Sequence, residues 1–474
     1  MVPSGCRVKG RTMSLRLATA IALGRLTAFV SRSLGLGGGT TMPGRVARAV
    51  EPSIVPMLAQ RLPFGTVVVT GTNGKTTTSR ILSHIAELAA LVPIHNRAGA
   101  NLASGVATAL LEHTGLRGNL AGDLAIFEID EATLPRVFDA LLPKVVVLTN
   151  LLRDQLDRYG ELEAVAEGWR RALDRLPPGA TVILNADDPL VAEVGREIKG
   201  RRITFGIEDE AFGAGVPEHA ADARYCYRCG RPYRYTTVYF GHMGKYRCEG
   251  CGASRPSPDV FAKEIVLRGI EGTRFTLEGP GGSMHIRTVL PGLYNVHNIL
   301  AACAAAHALG IAPETIQRAI ETFTPAFGRA ERLQLQGREL AFFLVKNPAG
   351  FNVVLRTILQ EDRARIFLVA INDLTADGRD VSWLWDVDFE VLCGRVDVVV
   401  VTGRRAEDMA LRLKYAGVEA GAIVVEKDGR RALLRAVAMA GEGETVYILP
   451  TYTAMLQLRA ILQRMDVVPG FWRQ

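Results

Sequence analysis

The first 50 residues of this 474-residue chain contain no aspartate or glutamate, yet hold Arg7, Lys9, Arg11, Arg16, Arg25, Arg32, Arg45 and Arg48. No apolar run reaches the roughly 18–20 residues that a membrane-spanning helix needs. The stretch "LATAIALG" is short and is followed at once by Arg25, which argues against a cleaved secretory signal. Cysteine is scarce. Of seven, four fall in two pairs and three are scattered, which excludes a disulfide framework and points to a metal site in a reducing compartment. Low-complexity tracts and short repeats are missing too. What is present is ordinary for a soluble globular protein: 48% hydrophobic residues, 22% charged residues and a net charge of +7. At about 150 residues per domain, the length implies two or three domains. The acid-free start admits a targeting peptide, a nucleic-acid arm or a basic amphipathic helix on anionic lipid. A solvated helix packed on the next domain is the simplest account. Met13 is a second candidate start.

"GTVVVTGTNGKTTTSRILSHIAELA" reads as a buried strand, a glycine turn and a helix. "DLAIFEID", "KVVVLTN" and "TVILNADD" continue as apolar strands that each end in polar residues, with helical patterns between them, as from Glu161 to Leu176. Such alternation predicts a mainly parallel sheet with ligands at the carboxyl ends of its strands. A cysteine-rich insert follows, then the antiparallel strands of "FAKEIVLRGIEGTRFTLEG" and "SMHIRTVL", and the helix "NVHNILAACAAAHALG". A second α/β series starts after "FTPAFGRAERLQ", which places a boundary near Leu333. The expected units are a basic helical segment 1–62, an ATP-binding domain 63–333 with an insert at 224–253, and a C-terminal domain 334–474.

The strict Walker A pattern fails, because Val69 stands where a glycine is required. Gly71-Thr72-Asn73-Gly74-Lys75-Thr76 keeps the device in shorter form. Glycines let backbone N–H groups face phosphates, the helix start adds favourable potential, and Lys75 reaches the β/γ-phosphates. Thr76 offers a hydroxyl to Mg²⁺. An incidental glycine turn is the weaker account, since strand and helix both sit where the mechanism needs them.

"CYRCGRPYRYTTVYFGHMGKYRCEGC" places Cys226 and Cys229, then Cys248 and Cys251, at zinc-ribbon spacing. His242 is superfluous to that set and is expected on the surface. The tyrosines and arginines of the segment would suit stacking on bases. A small unit that needs metal to fold has the same composition, and a structural role is the stronger reading.

Taken together, "VTGTNGKTTT", "FEIDE", "TNLLRDQLDRYG", "LNADDP", "GLYNVHNILAA" and "FGRAER" resemble, in order, the motifs of the Mur ligases and folylpolyglutamate synthases. The resemblance implies a central ATPase domain with a P-loop on a parallel sheet, carrying an inserted four-cysteine zinc ribbon, then a Rossmann-like C-terminal α/β domain. It implies ATP held by Gly71, Thr72, Asn73, Gly74, Lys75, Thr76 and Thr77, with Asn298 at adenine and Arg329 at the nucleotide. Thr76 and Glu128 would bind magnesium, and Lys75 with Glu128 would serve catalysis. Three departures stand out. Gln155 replaces the family's magnesium-binding histidine, Lys346-Asn347-Pro348 replaces an Asp-Tyr-Ala-His-x-Pro-Asp segment, and only about 60 residues precede the loop, too few for a UDP-sugar domain. Within the family, the ribbon, the short N-terminus, "KNPAGFN" and "ADGRDVSWLWDVDFE" are similar to the MurT-type subunits of lipid II isoglutaminyl synthase. That implies a cytoplasmic ligase, at or near the inner membrane face, which amidates the D-glutamate of the lipid II stem peptide. It implies a GatD-like glutaminase partner, to whose triad Asp380 would lend a carboxylate. Addition of an amino acid, or a zinc-ribbon NTPase acting on nucleic acid, are the alternatives. The modest net charge and the lack of a base-reading motif count against nucleic acid.

Overall fold

The computed structural model describes residues 13–33, 41–96, 100–154, 162–213, 221–325, 328–360 and 366–468. Gln155 and the basic residues Arg7, Lys9 and Arg11 lie outside the described residues.

Two sheets organise the chain. The first has nine strands: β1 (Thr66–Thr70), β2 (Pro93–His95), β3 (Leu124–Glu128), β4 (Val145–Leu148), β5 (Thr181–Asn185), β6 (Arg201–Ile207), β9 (Val260–Leu267), β10 (Thr273–Gly279) and β11 (Gly282–Thr288). Their order is β11-β10-β9-β6-β5-β4-β1-β3-β2. All pairings from β2 to β9 are parallel, and β9, β10 and β11 pair antiparallel. Strands β1, β3, β4 and β5 are buried along their whole length, because helices cover both faces of the sheet. Chain order reverses across β1, between β3 and β4, so a crevice opens at its carboxyl end.

Between β6 and β9 the chain leaves this sheet for a separate hairpin, β7 (Tyr233–Phe240) and β8 (Met243–Cys248). The second sheet holds β12 (Arg329–Leu335), β13 (Arg338–Phe343), β14 (Ile366–Ala370), β15 (Val398–Thr402), β16 (Ile423–Val425) and β17 (Thr445–Pro450), in the order β12-β13-β17-β14-β15-β16. Only β12 runs antiparallel to its neighbour. Leu333 falls inside β12, paired with Leu340, so the second sheet begins at Arg329.

The acid-free segment forms helices Leu15–Ser33 and Met42–Val50, and the helix Ile54–Ala59 follows after Glu51. Small residues let them pack closely on the helix Ala103–Glu112. A Cβ on Gly44 would stand 1.9 Å from the Ser104 carbonyl oxygen, and one on Gly24 would stand 2.9 Å from Leu111 Cδ1. The Gly44 N–H also donates to Thr108 Oγ1 at 2.9 Å. Gly44→Ala should therefore force the two helices apart, at a cost of about 1–3 kcal/mol. An unchanged thermal midpoint would mean that this contact is not made.

Candidate functional site

The glycine turn sits at the carboxyl end of β1, in the crevice. Gly71 and Gly74 have φ of +133° and +87°, and a Cβ at either would strike a neighbour: Thr149 Oγ1 at 2.2 Å and Asn298 Oδ1 at 2.1 Å. The segment after β4 holds the turn from below. Asn73 N donates to Asn150 Oδ1 at 2.8 Å, Thr149 Oγ1 to Asn73 O at 2.7 Å, and Leu152 N to Thr72 Oγ1 at 2.9 Å. The helix Lys75–Leu88 then begins, and its first N–H groups have no helical carbonyl four residues earlier. Thr76 Oγ1 donates to Glu128 Oε2 at 2.7 Å and accepts from Arg329 Nη2 at 3.0 Å. Glu128 is itself fixed by Asn96, whose Oδ1 accepts its N–H at 2.8 Å. Two hard oxygen donors in contact at a helix N-terminus suit a magnesium–phosphate group. Thr77 is buried in the same first turn.

Lys75 Nζ donates to the Gly71 carbonyl, to Thr72 O at 3.1 Å and to Glu131 Oε2 at 3.0 Å. Sequence reasoning chose Glu128 from "FEIDE" and passed over Glu131. Burial alone would raise the Glu131 pKa, but Lys75 and Lys346 hold it below the usual carboxylate range. Lys346 comes from the second sheet, and its Nζ donates to Thr72 O at 2.9 Å and to Asp154 Oδ2 at 2.6 Å. Beside it, Asn73 and Asn347 exchange hydrogen bonds of 3.2 and 3.0 Å. Asn347 Oδ1 also accepts the Gly350 N–H at 2.9 Å, capping the helix Pro348–Ile358. The departure from the family pattern at Lys346 thus packs on the glycine turn itself.

"LNADDP" gains a purpose. Asp188 caps the helix Pro189–Gly195 and accepts the Leu151 N–H at 2.8 Å. Asp187 is wholly buried and meets Arg255 Nε at 2.6 Å, His297 Nε2 at 2.7 Å and the Ile207 N–H at 2.9 Å. Burial would raise its pKa, but Arg255 and His297 keep it lowered. His297 adjoins Asn298, whose Nδ2 donates to Asn295 Oδ1 at 3.1 Å while its side-chain carbonyl faces Gly74.

The sulfurs of Cys226, Cys229, Cys248 and Cys251 lie within 4.8 Å of one another. Cys226–Cys251 and Cys229–Cys248 are 3.5 and 3.4 Å apart, against about 3.8 Å across a four-thiolate zinc tetrahedron with bonds of about 2.3 Å. The Cys251 backbone N–H lowers the Cys248 thiol to about 6. Tyr233, Tyr235 and Tyr246 form the insert's own core, with centroids 5.1 Å apart for Tyr233–Tyr246, so these rings do not offer free faces for bases. His242 corrects the expectation of a surface residue. It is 1% exposed, with Nε2 3.6 Å from Asp188 Oδ2, because the hairpin turn folds onto the nine-stranded sheet.

"ADGRDVSWLWDVDFE" follows β14 and is organised by one arginine. The buried Arg412 donates to Leu384 O at 3.2 Å, Val387 O at 2.6 Å and Glu390 Oε2 at 3.0 Å, and stacks 5.5 Å from the Trp385 centroid. Trp383 is half-buried against Phe351, whereas Trp385 is 53% exposed beside Tyr415. Asp380 is exposed, and its two oxygens accept from Ser382 N at 2.8 Å and Ser382 Oγ at 2.9 Å. The Ser382 N–H lowers its pKa, so it is charged at neutral pH. The structure therefore groups Gly71–Thr77, Glu128, Asn298 and Arg329 around one crevice, while Asp380 and the cysteines occupy separate places.

Residues 69–306 match the family described as Mur ligase middle domain, and residues 344–455 match MurT ligase C-terminal. The chain is similar to lipid II isoglutaminyl synthase (glutamine-hydrolyzing) subunit MurT of Staphylococcus aureus (strain COL). They are 33% identical over 456 residues, 95% of this chain and 98% of the relative. The same-named subunit of Streptococcus pneumoniae (strain ATCC BAA-255 / R6) is 33% identical over 457 residues, 96% of this chain and 99% of the relative. Among solved structures, a pseudomurein peptide ligase type C from Methanothermus fervidus has a TM-score of 0.66 at 24% identity, covering 87% of this chain and 81% of that one. MurF from Thermotoga maritima in complex with ADP has a TM-score of 0.63 at 14% identity, covering 88% and 84%. At these identities the two structures speak for the fold alone.

Lys346→Met should leave Asp154 and Glu131 undercompensated. The Lys346 side chain is 35% exposed against 7% for Asp154, so the loss is expected at about 1–3 kcal/mol, below that of a fully buried pair. Denaturant unfolding should show most of it regained in Lys346→Met/Asp154→Asn. Equal stability of wild type and the single variant would disprove the compensation.

Proposed function

The chain belongs to the Mur ligase family, and within it to the MurT subunits of glutamine-hydrolysing lipid II isoglutaminyl synthase, and from this we propose how its residues divide the work. It is an ATP-dependent ligase subunit of peptidoglycan synthesis. The α-carboxylate of D-glutamate in the lipid II stem peptide attacks the γ-phosphorus of ATP, and ADP leaves. Ammonia then attacks the acyl phosphate, phosphate departs, and D-isoglutamine remains. The near full-length similarity to the two named subunits carries this reading.

The turn Gly71–Thr77 cradles the phosphates with its N–H groups, and Lys75 swings from Glu131 to the γ-phosphoryl oxygens as charge develops there. Lys346 stays beside Glu131 in that exchange, so the carboxylate is not stranded. Thr76 and Glu128 would hold Mg²⁺, which would supply charge neutralisation on the phosphates. Arg329 reaches the nucleotide from the start of the second sheet, and Asn298 contacts adenine. No clamp for an amino-acid carboxylate is required when ammonia is the nucleophile, which fits Lys346-Asn347 in place of the usual acidic segment.

Cys226, Cys229, Cys248 and Cys251 would hold one Zn²⁺ as a structural ion, closed by four thiolates. Protein purified without chelator should carry one zinc per chain, and Cys248→Ser should lose it and expose the insert to protease. Metal-free protein at full activity would refute the site.

Ammonia comes from a GatD-like glutaminase, which docks on the loop that presents Asp380, with the exposed pair Trp385 and Tyr415 as its apolar anchor. Asp380 orients the partner's histidine base. Asp380→Asn should lower glutamine-driven amidation by roughly 10²–10⁴-fold. Free ammonia should restore the product. Glutamine hydrolysis at the wild-type rate by the assembled variant complex would refute the shared carboxylate.

A further inference from the structure

The helix Leu15–Ser33 carries large apolar residues on its outer as well as its inner side, with Arg16, Thr19 and Arg25 also exposed. Its inner side, with Leu17, Ala20, Ile21 and Ala28, is buried against the domain. On the outer side Leu15, Leu26 and Phe29 are 86%, 57% and 67% exposed, and Leu23 and Val30 are 40% and 42% exposed. Positions 23, 26 and 30 recur at three- and four-residue spacing, so they line one stripe. An amphipathic surface helix normally keeps its large apolar residues on the side that faces the core. Here protein encloses half of it among the described residues. Scattered exposed leucines need no explanation, but a contiguous stripe of Leu23, Leu26 and Val30 with Phe29 beside it does.

The charge beside the stripe has one sign. The adjoining helix Met42–Val50 leaves Met42, Arg45 and Arg48 exposed. No acid occurs between Met13 and Val50. The nearest following carboxylate, Glu51, is 9% exposed and occupied by the Ser53 N–H at 3.1 Å and by Arg16 at 3.8 Å. A protein partner or second copy would ordinarily meet a rim of mixed sign. An apolar stripe whose own helix and the adjoining helix Met42–Val50 carry arginine and no acid suits a surface that is apolar beneath and anionic above. No helix of the described residues is long and apolar enough to cross a membrane, so this one would lie along it.

We propose that the outer face of Leu15–Ser33, with the exposed arginines of Met42–Val50, docks on an anionic lipid bilayer. Leu26 and Phe29 enter the acyl boundary, and Arg45 and Arg48 meet the headgroups. This deepens the function given above, since it carries the ligase to a lipid-linked substrate. Its test needs neither substrate nor nucleotide, so the two can fail separately.

The experiment is flotation of the full chain with vesicles of phosphatidylcholine alone or mixed with phosphatidylglycerol. The chain should float with the mixed vesicles and be released by salt. Leu26→Glu/Phe29→Glu should weaken binding by about tenfold or more, given the apolar area withdrawn from water. Both side chains are exposed, so the thermal midpoint and ATP hydrolysis should be unchanged. Arg45→Gln/Arg48→Gln should reduce the preference for phosphatidylglycerol. The proposal is overturned by absent flotation, by equal binding to both vesicle types, or by undiminished binding of the Leu26/Phe29 variant. It is equally overturned if that variant loses a dimer or a glutaminase complex in light scattering while still floating with vesicles, because a protein would then be the true occupant.

Discussion

Two lysines and two carboxylates share the space behind the glycine turn, and a single carbonyl oxygen joins them. Lys75 and Lys346 both donate to Thr72 O, one from the turn's own helix and the other from the second sheet. Each has a carboxylate, Glu131 for Lys75 and Asp154 for Lys346. The side chains of Lys75, Glu131 and Asp154 are buried and that of Lys346 is partly exposed, so each carboxylate depends on a lysine for its charge, most of all Glu131. The group is therefore both the adhesive between the two α/β units and a reserve of compensation. Glu131 thus has both lysines within electrostatic reach. The Asn73–Asn347 exchange fixes the register of that contact, as amides can give and accept at once.

A second set of buried charges joins the insert to the same crevice. Arg255, the first cation after the ribbon, ends on Asp187 at the carboxyl end of β5, and Asp187 reaches His297 on the helix that carries Asn298. Asp188 ties the same strand end to Leu151, next to the segment that supports the turn. An insert between β6 and β9 can thus be anchored without disturbing the parallel order, since β6 and β9 still pair directly. The insert's aromatic rings supply only a small core, beside which the four thiols converge.

In the C-terminal unit the acid-rich loop after β14 looks irregular but is pinned at both ends. Asp377 accepts the Thr453 N–H at 2.7 Å, and Asp388 exchanges hydrogen bonds with Asn352. Arg412 fills the middle by capping two carbonyls and stacking on Trp385 and Phe389. Pinning leaves Asp380 outward with both oxygens already oriented by Ser382. A carboxylate held this way loses little entropy on meeting a partner group.

Much of this was legible in the sequence, because it depends on local chemistry. The buried valines of β1, the glycines at positive φ, the helix that begins at Lys75 and the paired cysteines each follow from spacing along a short stretch. The order of the motifs identified the family for the same reason. What the sequence could not supply were contacts between residues far apart in the chain. Lys346 stood out only as a departure until folding set it on Thr72, and Glu131 was hidden beside the more obvious Glu128 until Lys75 met it. His242, polar and within a polar insert, gave no sign that its hairpin turn would be buried against Asp188. The acid-free start admitted a helix on anionic lipid among other readings, but which residues of Leu15–Ser33 face outward became visible only once protein covered the inner side. Periodicity fixes which residues share a face. Only tertiary packing decides what that face meets, because burial and charge compensation are properties of neighbours in space.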